Sequence, residues 1–341
     1  MIQKLVFPIL LSSAAIAEQP ADHLVFKGDA SKPGKGKNVV LIAGDEEYRS
    51  EESMPMLAQI LAKQGFNCTV LFSLDKEGKF VSPTNQESLS NPAALDSADA
   101  IVMAIRFRRW PDAAMDKFNA AFERGTPISA LRTSTHPFNF KPGRKYEKFG
   151  WRNKEWKGGF GRQVLGETWV SHWGKHAVEG MRTYAVEANK KHPVLNGVGQ
   201  IFCKSDLYEA APLAPSTILL EGNNTATLER DSPDTKDAKG AKRQACAWVR
   251  EYKHSNGKTN KIFTTTMGSA DDLTDENLRR LVINSVYYNL GLEVPAKADA
   301  TPVGAYQPTM FGFRDSKDGI RKGFIANQTP KDYINFVTPK K

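Results

Sequence analysis

Cysteine is scarce in this chain of 341 residues, and its three cysteines form no CxxC pair. An odd count without that spacing argues against a disulfide-stapled scaffold and a CxxC zinc site. The cysteines lie in apolar surroundings, which favours buried small hydrophobic residues. One pair could still form a disulfide if the chain is exported. The three positions are Cys68, Cys203 and Cys246.

Several catalytic and binding motifs are also missing. No GxSxG or GxCxG elbow is present, which argues against a serine or cysteine nucleophile on a strand-to-helix turn. No HExxH is present, and Gly158-Gly159-Phe160-Gly161 is not a GxGxxG after a strand. A zinc protease of that type and a dinucleotide site are therefore not expected. Beyond the N-terminus no apolar run approaches 18 residues, so we expect no membrane span.

Residues 1–17 have the three-part pattern of a secretory signal peptide. Lys4 comes first, a short apolar run follows, and Ala15-Ile16-Ala17 is a small-x-small cleavage pattern. The pattern predicts a secreted or periplasmic protein. The net charge is +9, but the basic residues are scattered and form no stripe. We therefore expect no nucleic-acid partner, and interpret the charge as aiding solubility or attracting acidic glycans.

Apolar runs alternate with helix-like patterns from residue 38 onward. Continuous apolar strands separated by helices predict an α/β fold with a parallel sheet covered on both faces. A Trp- and Gly-rich stretch over 137–180 interrupts the alternation and is interpreted as an insertion. We predict one domain over 38–293 and an extended tail over 294–341 that wraps on it. The predicted strands lie at 38–44, 67–72, 99–105, 127–131, 183–188 and 218–220, with a hairpin at 245–252 and 261–266; the predicted helices lie at 51–64, 111–125 and 276–290.

Polar residues follow three of the predicted strands. In an open α/β sheet the carboxyl ends of the strands are where ligands bind. Glu46 and Glu47 could bind sugar hydroxyls or transfer protons, or they could be solvated acids before a helix. Arg106 could reach an anionic or carbonyl group, or lie in a solvated loop. His136 is a candidate acid/base or ligand group, and Ser134 either contacts substrate or caps a turn.

The insertion adds a second group of candidates. His172 and His176 are four residues apart, and with Glu167 or His136 they could hold a zinc-like divalent metal. The alternative is that the imidazoles only hydrogen-bond loop carbonyls. Indole rings such as Trp169 could form a platform for a sugar face, or simply the insertion's own small core. The four tryptophans here are Trp151, Trp156, Trp169 and Trp173.

Six short stretches, taken in order, resemble ThuA-like (trehalose-utilisation) proteins of the class I glutamine amidotransferase-like superfold. The resemblance implies a flavodoxin-like, doubly wound, mainly parallel sheet. It also implies that the ancestral amidotransferase cysteine is replaced by the segment 132–136, so no glutaminase activity is expected. His136 and His176 match the family's histidines best, whereas Trp173 stands where relatives often have His or Gly. The matching stretches are 39–52, 132–138, 158–161, 174–176, 192–195 and 262–268.

Together these features predict a secreted protein of bacterial type that acts on a sugar or keto-sugar. His136 and His176 would be the acid/base or ligand groups, with Glu47 or Glu167 assisting. Two alternatives stay open: a non-catalytic carbohydrate-binding or scaffold protein, and a metal-dependent hydrolase. The mechanism requires the imidazoles of His136 and His176 to converge at one sheet edge. The sequence leaves the oligomeric state open.

Overall fold

The computed structural model describes residues 19–236, 241–313 and 325–338, so the predicted signal peptide lies outside the described residues. Ten strands and three α-helices are found within these ranges. In chain order they are β1 (His23–Phe26), β2 (Asn38–Gly44), α1 (Ser50–Lys63), β3 (Asn67–Leu71), β4 (Ala100–Ile105), α2 (Asp112–Glu123), β5 (Ile128–Leu131), β6 (Met181–Ala185), β7 (Phe202–Cys203), β8 (Thr217–Asn224), β9 (Gln244–Lys253), β10 (Thr259–Thr265) and α3 (Glu276–Asn289).

The core has two layers, one on each face of the sheet. Successive strand residues point to opposite faces, and β2 shows this directly. Val39 and Leu41 pack in a cluster with α1 and α3. Val40 and Ile42 pack in a second cluster with α2. Because both faces are covered, β2 has no polar side chain from residue 39 to residue 44, and the helices lie on both sides as the sequence predicts.

The strands form one sheet in the order β1-β3-β2-β4-β5-β10-β9-β8-β6-β7. The α/β class is confirmed, but the sheet is mixed rather than mainly parallel. Among the described residues, four pairings are parallel and five are antiparallel. The parallel part is β3-β2-β4-β5-β10. The predicted hairpin is confirmed as β9 and β10, and it starts the antiparallel half.

The register of the parallel strands brings several loops to one edge. Gly44 at the end of β2 pairs with Ile105 at the end of β4, and Leu131 of β5 pairs with Thr265 of β10. The segments that follow these strands therefore leave the sheet together. This carboxyl edge is where the sequence places its candidate site.

The insertion is built around aromatic side chains rather than strands. Phe138, Phe149 and Phe160 pack against Phe118 and Phe122 of α2, with ring centroids 5.1–6.2 Å apart. The insertion thus completes the core on the α2 face and reaches the carboxyl edge. Its glycines at 158 and 159 have positive φ, and a Cβ on Gly159 would meet the Gly150 backbone at 2.1 Å.

The C-terminal tail returns across the carboxyl edge. The Gly312 N–H donates to the Glu47 carbonyl oxygen at 3.0 Å, and the Thr309 N–H donates to Glu52 at 2.8 Å. In the described part of the chain, no helix has both the length and the apolarity needed to cross a membrane. All three cysteines are buried and unpaired.

Candidate active site at the carboxyl edge of the sheet

Asp206 joins two imidazoles at the carboxyl edge. Nδ1 of His172 lies 2.9 Å from one Asp206 carboxylate oxygen and 3.2 Å from the other. Nδ1 of His176 lies 3.4 Å from the same carboxylate, and the two imidazole centroids are 4.7 Å apart. The carboxylate is fully buried, whereas the His172 and His176 side chains are 30% and 33% exposed. A buried acid therefore orients two bases that solvent reaches.

The Asp206 carboxylate is kept ionised by its neighbours. Burial favours its neutral form, but hydrogen bonds from His172 and His176 and the charge of Arg132 together hold the pKa of Asp206 below its usual range. The Arg132 guanidinium lies 3.3 Å from this carboxylate and is itself fully buried. An ionised carboxylate only accepts hydrogen bonds. The histidine nitrogens that face it must therefore carry protons.

That constraint fixes the tautomer of His172. Since Nδ1 donates to Asp206, Nε2 of the neutral ring is a proton acceptor. Within the described residues Nε2 of His172 has no hydrogen-bond partner. A base held by a buried carboxylate, with its other nitrogen free, is the arrangement of a general base.

His176 lies between two carboxylates. Its Nε2 is 3.1 Å from Glu47, and its Nδ1 faces Asp206. Hydrogen bonds to Asp206 and then Glu47 raise the pKa of His176 to about 9, against the opposing effect of burial. At neutral pH His176 is therefore an imidazolium with both nitrogens engaged. It contributes positive charge to the site rather than a free base.

His136 occupies a different environment at the same edge. Its side chain is buried, and rings of Phe107, Trp169 and Tyr208 lie with centroids 4.9, 5.8 and 6.3 Å from it. Burial, followed by the charge of Arg106, holds the pKa of His136 well below its usual range. The ring is therefore neutral. It shares two ring neighbours with His172, whose centroid is 5.9 Å from Trp169 and 5.4 Å from Tyr208.

Thr135 sets the tautomer of His136. Its hydroxyl donates to the Arg132 carbonyl at 3.3 Å and lies 3.1 Å from Nδ1 of His136. Because the hydroxyl has one proton, Nδ1 must donate to it. Nε2 of His136 is then an acceptor, suited to a substrate hydroxyl.

Three side chains hold Glu46 at this edge. Its two oxygens accept from Arg106 at 2.5 Å and from Arg108 at 2.6 Å, and Gln86 donates at 3.2 Å. A carboxylate so occupied has little capacity left for a substrate, and in this structure Glu46 is the partner of Arg106. The Arg106 side chain is 19% exposed and lies 4.5 Å from the Phe107 ring.

Two further predicted site residues have structural roles instead. Ser134 is fully buried; its hydroxyl donates to the Met103 carbonyl and accepts from the Ile105 N–H, so it fastens the turn after β5 to β4. Glu167 pairs with Arg162 and accepts from the N–H groups of Thr168 and Ala211. Among these contacts of Glu167 there is no histidine. The insertion needs this carboxylate to hold its own loop.

Several residues of the site have no motif in the sequence. Asp206 follows β7, a strand of only two residues, and no spacing points to it. The only sequence signals for the others are general ones: polar residues after a strand, and aromatic residues in a loop. The residues missed are Arg132, Asp206, Tyr48, Tyr208 and, from the tail, Phe311, whose ring is 5.2 Å from His176 and 5.3 Å from Tyr48.

The two predicted metal ligands, His172 and His176, lie beside a third donor, Asp206, that the sequence did not indicate. Donor atoms of His172, His176 and Asp206 all lie within 4.8 Å of one another. Two imidazoles and a carboxylate suit zinc and related transition metals. In that state Glu47 would accept from Nε2 of His176, the usual role of an acid behind a metal-bound histidine. A bound ion would supply a Lewis acid at this position.

Protonation of His176 should make stability depend on pH when metal is chelated. The pKa in the fold is about 9 against 6.5 for the free ring. The stabilisation is therefore complete below pH 6.5 and is lost as pH rises through 9. We expect unfolding free energy, measured by urea titration, to fall across this window by at most about 1.4 kcal/mol per pH unit, and less because solvent screens the ring.

The matched variants are His176→Gln and His192→Gln. His176→Gln should flatten the slope between pH 6.5 and 9. The pKa of His192 is lowered by burial, so its titration changes the unfolding free energy only below pH 6.5. His192→Gln should therefore keep the parent slope between pH 6.5 and 9. Equal slopes for His176→Gln and the parent would contradict the ionisation assigned to His176.

Comparison with known proteins finds similar solved structures but no matching family model or curated sequence. The fold is similar to the crystal structure of a protein from Parabacteroides merdae described as ThuA-like, with 14% identity, TM-score 0.48, and coverage of 82% of this chain and 98% of that one. A second protein so described, from Bacteroides uniformis, has 14% identity, TM-score 0.46, and coverage of 76% and 93%. The function must therefore be argued from the site.

Proposed function

We propose that this chain is a secreted or periplasmic ThuA-like protein that moves a proton at a carbon next to the carbonyl of a keto-sugar. The observation that supports the chemistry is the His172–Asp206 pair, with Nε2 of His172 free. The short stretches that resemble ThuA-like proteins support the substrate class, and the N-terminal pattern supports export.

The strand order supports the fold part of the proposal. Numbered by their order in the chain, the five parallel strands lie in the order 2-1-3-4-5. This is the flavodoxin-like order, in which ligands bind at the carboxyl edge where the strand order reverses. Here that reversal lies between β2 and β4, whose following loops contain Glu47 and Arg106.

In the proposed step Nε2 of His172 takes the C–H proton, and the C–H electron pair moves into the carbonyl to give an enediolate. Asp206 stabilises the imidazolium that forms. The cation of Arg106 offsets the negative charge on oxygen, and Nε2 of His136 accepts a sugar hydroxyl. Return of a proton to the same carbon gives exchange or epimerisation. Return of a proton to the former carbonyl carbon gives isomerisation, with the adjacent hydroxyl proton passing to the enolate oxygen, and expulsion of a β-substituent with its bonding electron pair gives elimination. His176 and Glu47 hold Asp206 in place rather than exchanging protons.

Deuterium exchange tests this step without knowledge of the final product. A 3-keto-glucoside is incubated with the protein in D₂O, and loss of the α C–H signal is followed by proton NMR. His172→Gln should slow exchange by about 10²–10⁴-fold, whereas His192→Gln should not change it. Parental exchange no faster than buffer, or full activity of His172→Gln, would overturn the proposal.

The same assay can support either of two other functions. Sugar binding without exchange would favour the non-catalytic carbohydrate-binding protein, for which the half-exposed Trp151 and Trp169 beside His136 provide the surface. Exchange or hydrolysis that needs added Zn²⁺ and stops with a chelator would favour the metal-dependent enzyme. The donor set of His172, His176 and Asp206 favours that alternative.

A further inference from the structure

We propose that a second saccharide-binding site lies at the opposite end of the sheet from the candidate active site. A cavity of about 420 Å³ opens there between α2, the insertion and the turn from β9 to β10. This is within the size range of small-ligand sites. None of its lining residues belongs to the candidate active site, so the inference goes beyond the proposed function.

The register of β9 and β10 places the cavity. Tyr252, in its wall, pairs with Asn260 near the start of β10, whereas the candidate active site follows the end of β10. Glu123, also in its wall, is the last residue of α2. The cavity therefore lies at the amino ends of the parallel strands.

Aromatic rings form the walls of the cavity. The Trp156 ring centroid lies 5.6 Å from Phe149 and 6.3 Å from Tyr252, and Phe122 lies 5.2 Å from Tyr252. Trp156 and Tyr252 are partly exposed. Flat rings that border a recess are suited to pack against the C–H face of a pyranose, because each offers a large apolar surface with a polar edge.

A rigid histidine closes the wall. The His254 ring lies 4.5 Å from Phe122 and 5.0 Å from Tyr252, and its Nε2 is 2.5 Å from the Asn260 amide oxygen. Asn260 is fully buried and donates to the carbonyls of Phe122 and Thr126. Since this amide oxygen accepts, Nε2 of His254 donates and Nδ1 is an acceptor. The wall therefore presents a fixed acceptor to a ligand hydroxyl.

Polar side chains surround the rings and offer both donors and acceptors. Carboxylates, an amide, a hydroxyl and an ammonium group match the alternating hydroxyls of a sugar, each of which donates and accepts. These rim residues are Asn119, Glu123, Lys148, Glu155 and Ser255.

The position of Lys148 argues against an ammonium ligand in this aromatic cavity. Its Nζ lies 5.6 Å from the Phe149 centroid and 6.0 Å from the Trp156 centroid, which is within cation–π range. A second cation on the same faces would be repelled, whereas a neutral sugar would not. The observations therefore favour an uncharged polyhydroxylated ring.

Titration calorimetry on the full chain tests the site, with cellobiose, trehalose and maltose as probes. The background is Trp169→Ala, which removes an aromatic face at the candidate active site. At least one disaccharide should still bind, and adding Trp156→Ala should weaken it by about tenfold or more. A double variant, Glu155→Gln with Asn119→Ala, changes two rim residues that lie away from the packed core. It should also weaken binding without lowering the melting temperature.

The outcomes separate this proposal from the proposed function. Trp156→Ala should leave deuterium exchange of a 3-keto-glucoside unchanged, and His172→Gln should leave binding at the cavity unchanged. Choline binding in place of the sugars, or disaccharide binding unaffected by both the Trp156 and the Glu155/Asn119 variants, would overturn the second site. Absence of any disaccharide binding in the Trp169→Ala background would overturn it as well.

Discussion

Asp206→Asn should lower the rate of deuterium exchange, measured per folded molecule, by about 10³–10⁴-fold. The magnitude follows from acid–histidine pairs in other enzymes, where the amide reverses the tautomer of the histidine. Asn presents an N–H to Nδ1 of His172, so the ring proton moves to Nε2 and the base is lost. The side chain keeps its shape, so the loss is chemical rather than steric.

The matched control is Asp99→Asn. Asp99, like Asp206, pairs with a cationic side chain, that of Lys37 at 3.5 Å, and it accepts the Asn38 N–H at 2.8 Å, but it lies at the amino end of β4. Exchange by Asp99→Asn should equal that of the parent. Nitrogen-15 spectra of the histidines should show the tautomer change only in Asp206→Asn. Exchange by Asp206→Asn within tenfold of the parent would contradict the assignment of His172 as base.

Arg132→Met should destabilise the fold by about 3–5 kcal/mol, because it removes the fully buried cation beside the Asp206 carboxylate and leaves only the partly exposed His176. The guanidinium also donates to the carbonyls of Asp206 and Thr266 at 2.6 and 2.7 Å. It is held between two phenol rings, 3.9 Å from the Tyr208 centroid and 4.7 Å from that of Tyr48. Arg132→Lys should recover little, since an ammonium cannot reproduce the planar fork.

Thermal unfolding by circular dichroism measures this effect. At about 2–4 °C per kcal/mol for a domain near this size, the melting temperature should fall by roughly 6–20 °C. Arg109→Met is the control, since Arg109 is 35% exposed and pairs loosely with Glu87 at 3.8 Å; it should change the melting temperature by less than about 2 °C. A similarly small change in Arg132→Met would show that the cation is dispensable.

The strand ends explain why part of the site could be predicted. Buried strands such as β2 and β4 are continuous apolar runs, and the first polar residue after each run must lie at the carboxyl edge. This rule predicts that His136, Glu47 and Arg106 lie at one edge, and the structure brings them there. The insertion histidines reach the same edge, which no local pattern required.

Side-chain direction and the order in which the antiparallel strands pair could not be predicted from the sequence, although the sequence does predict strands near β6 and β8 and the hairpin of β9 and β10. Whether Ser134 faces substrate or β4 depends on a turn in which Arg132 has φ of +46°, a conformation that sequence does not predict for arginine. β7 is too short to show periodicity, so Asp206 had no signal. β1 was missed for the same reason, being a four-residue edge strand with only one buried position.

The tail crossing the carboxyl edge has a consequence for biosynthesis. Phe311 touches the rings of both Tyr48 and His176, so the first and last parts of this cluster are separated by more than 260 positions in the chain. At roughly 5–20 residues per second on the ribosome, at least about 13 s pass between their synthesis. The aromatic cover of this edge therefore cannot form until the tail has been made, and maturation of this edge should be among the latest events of folding.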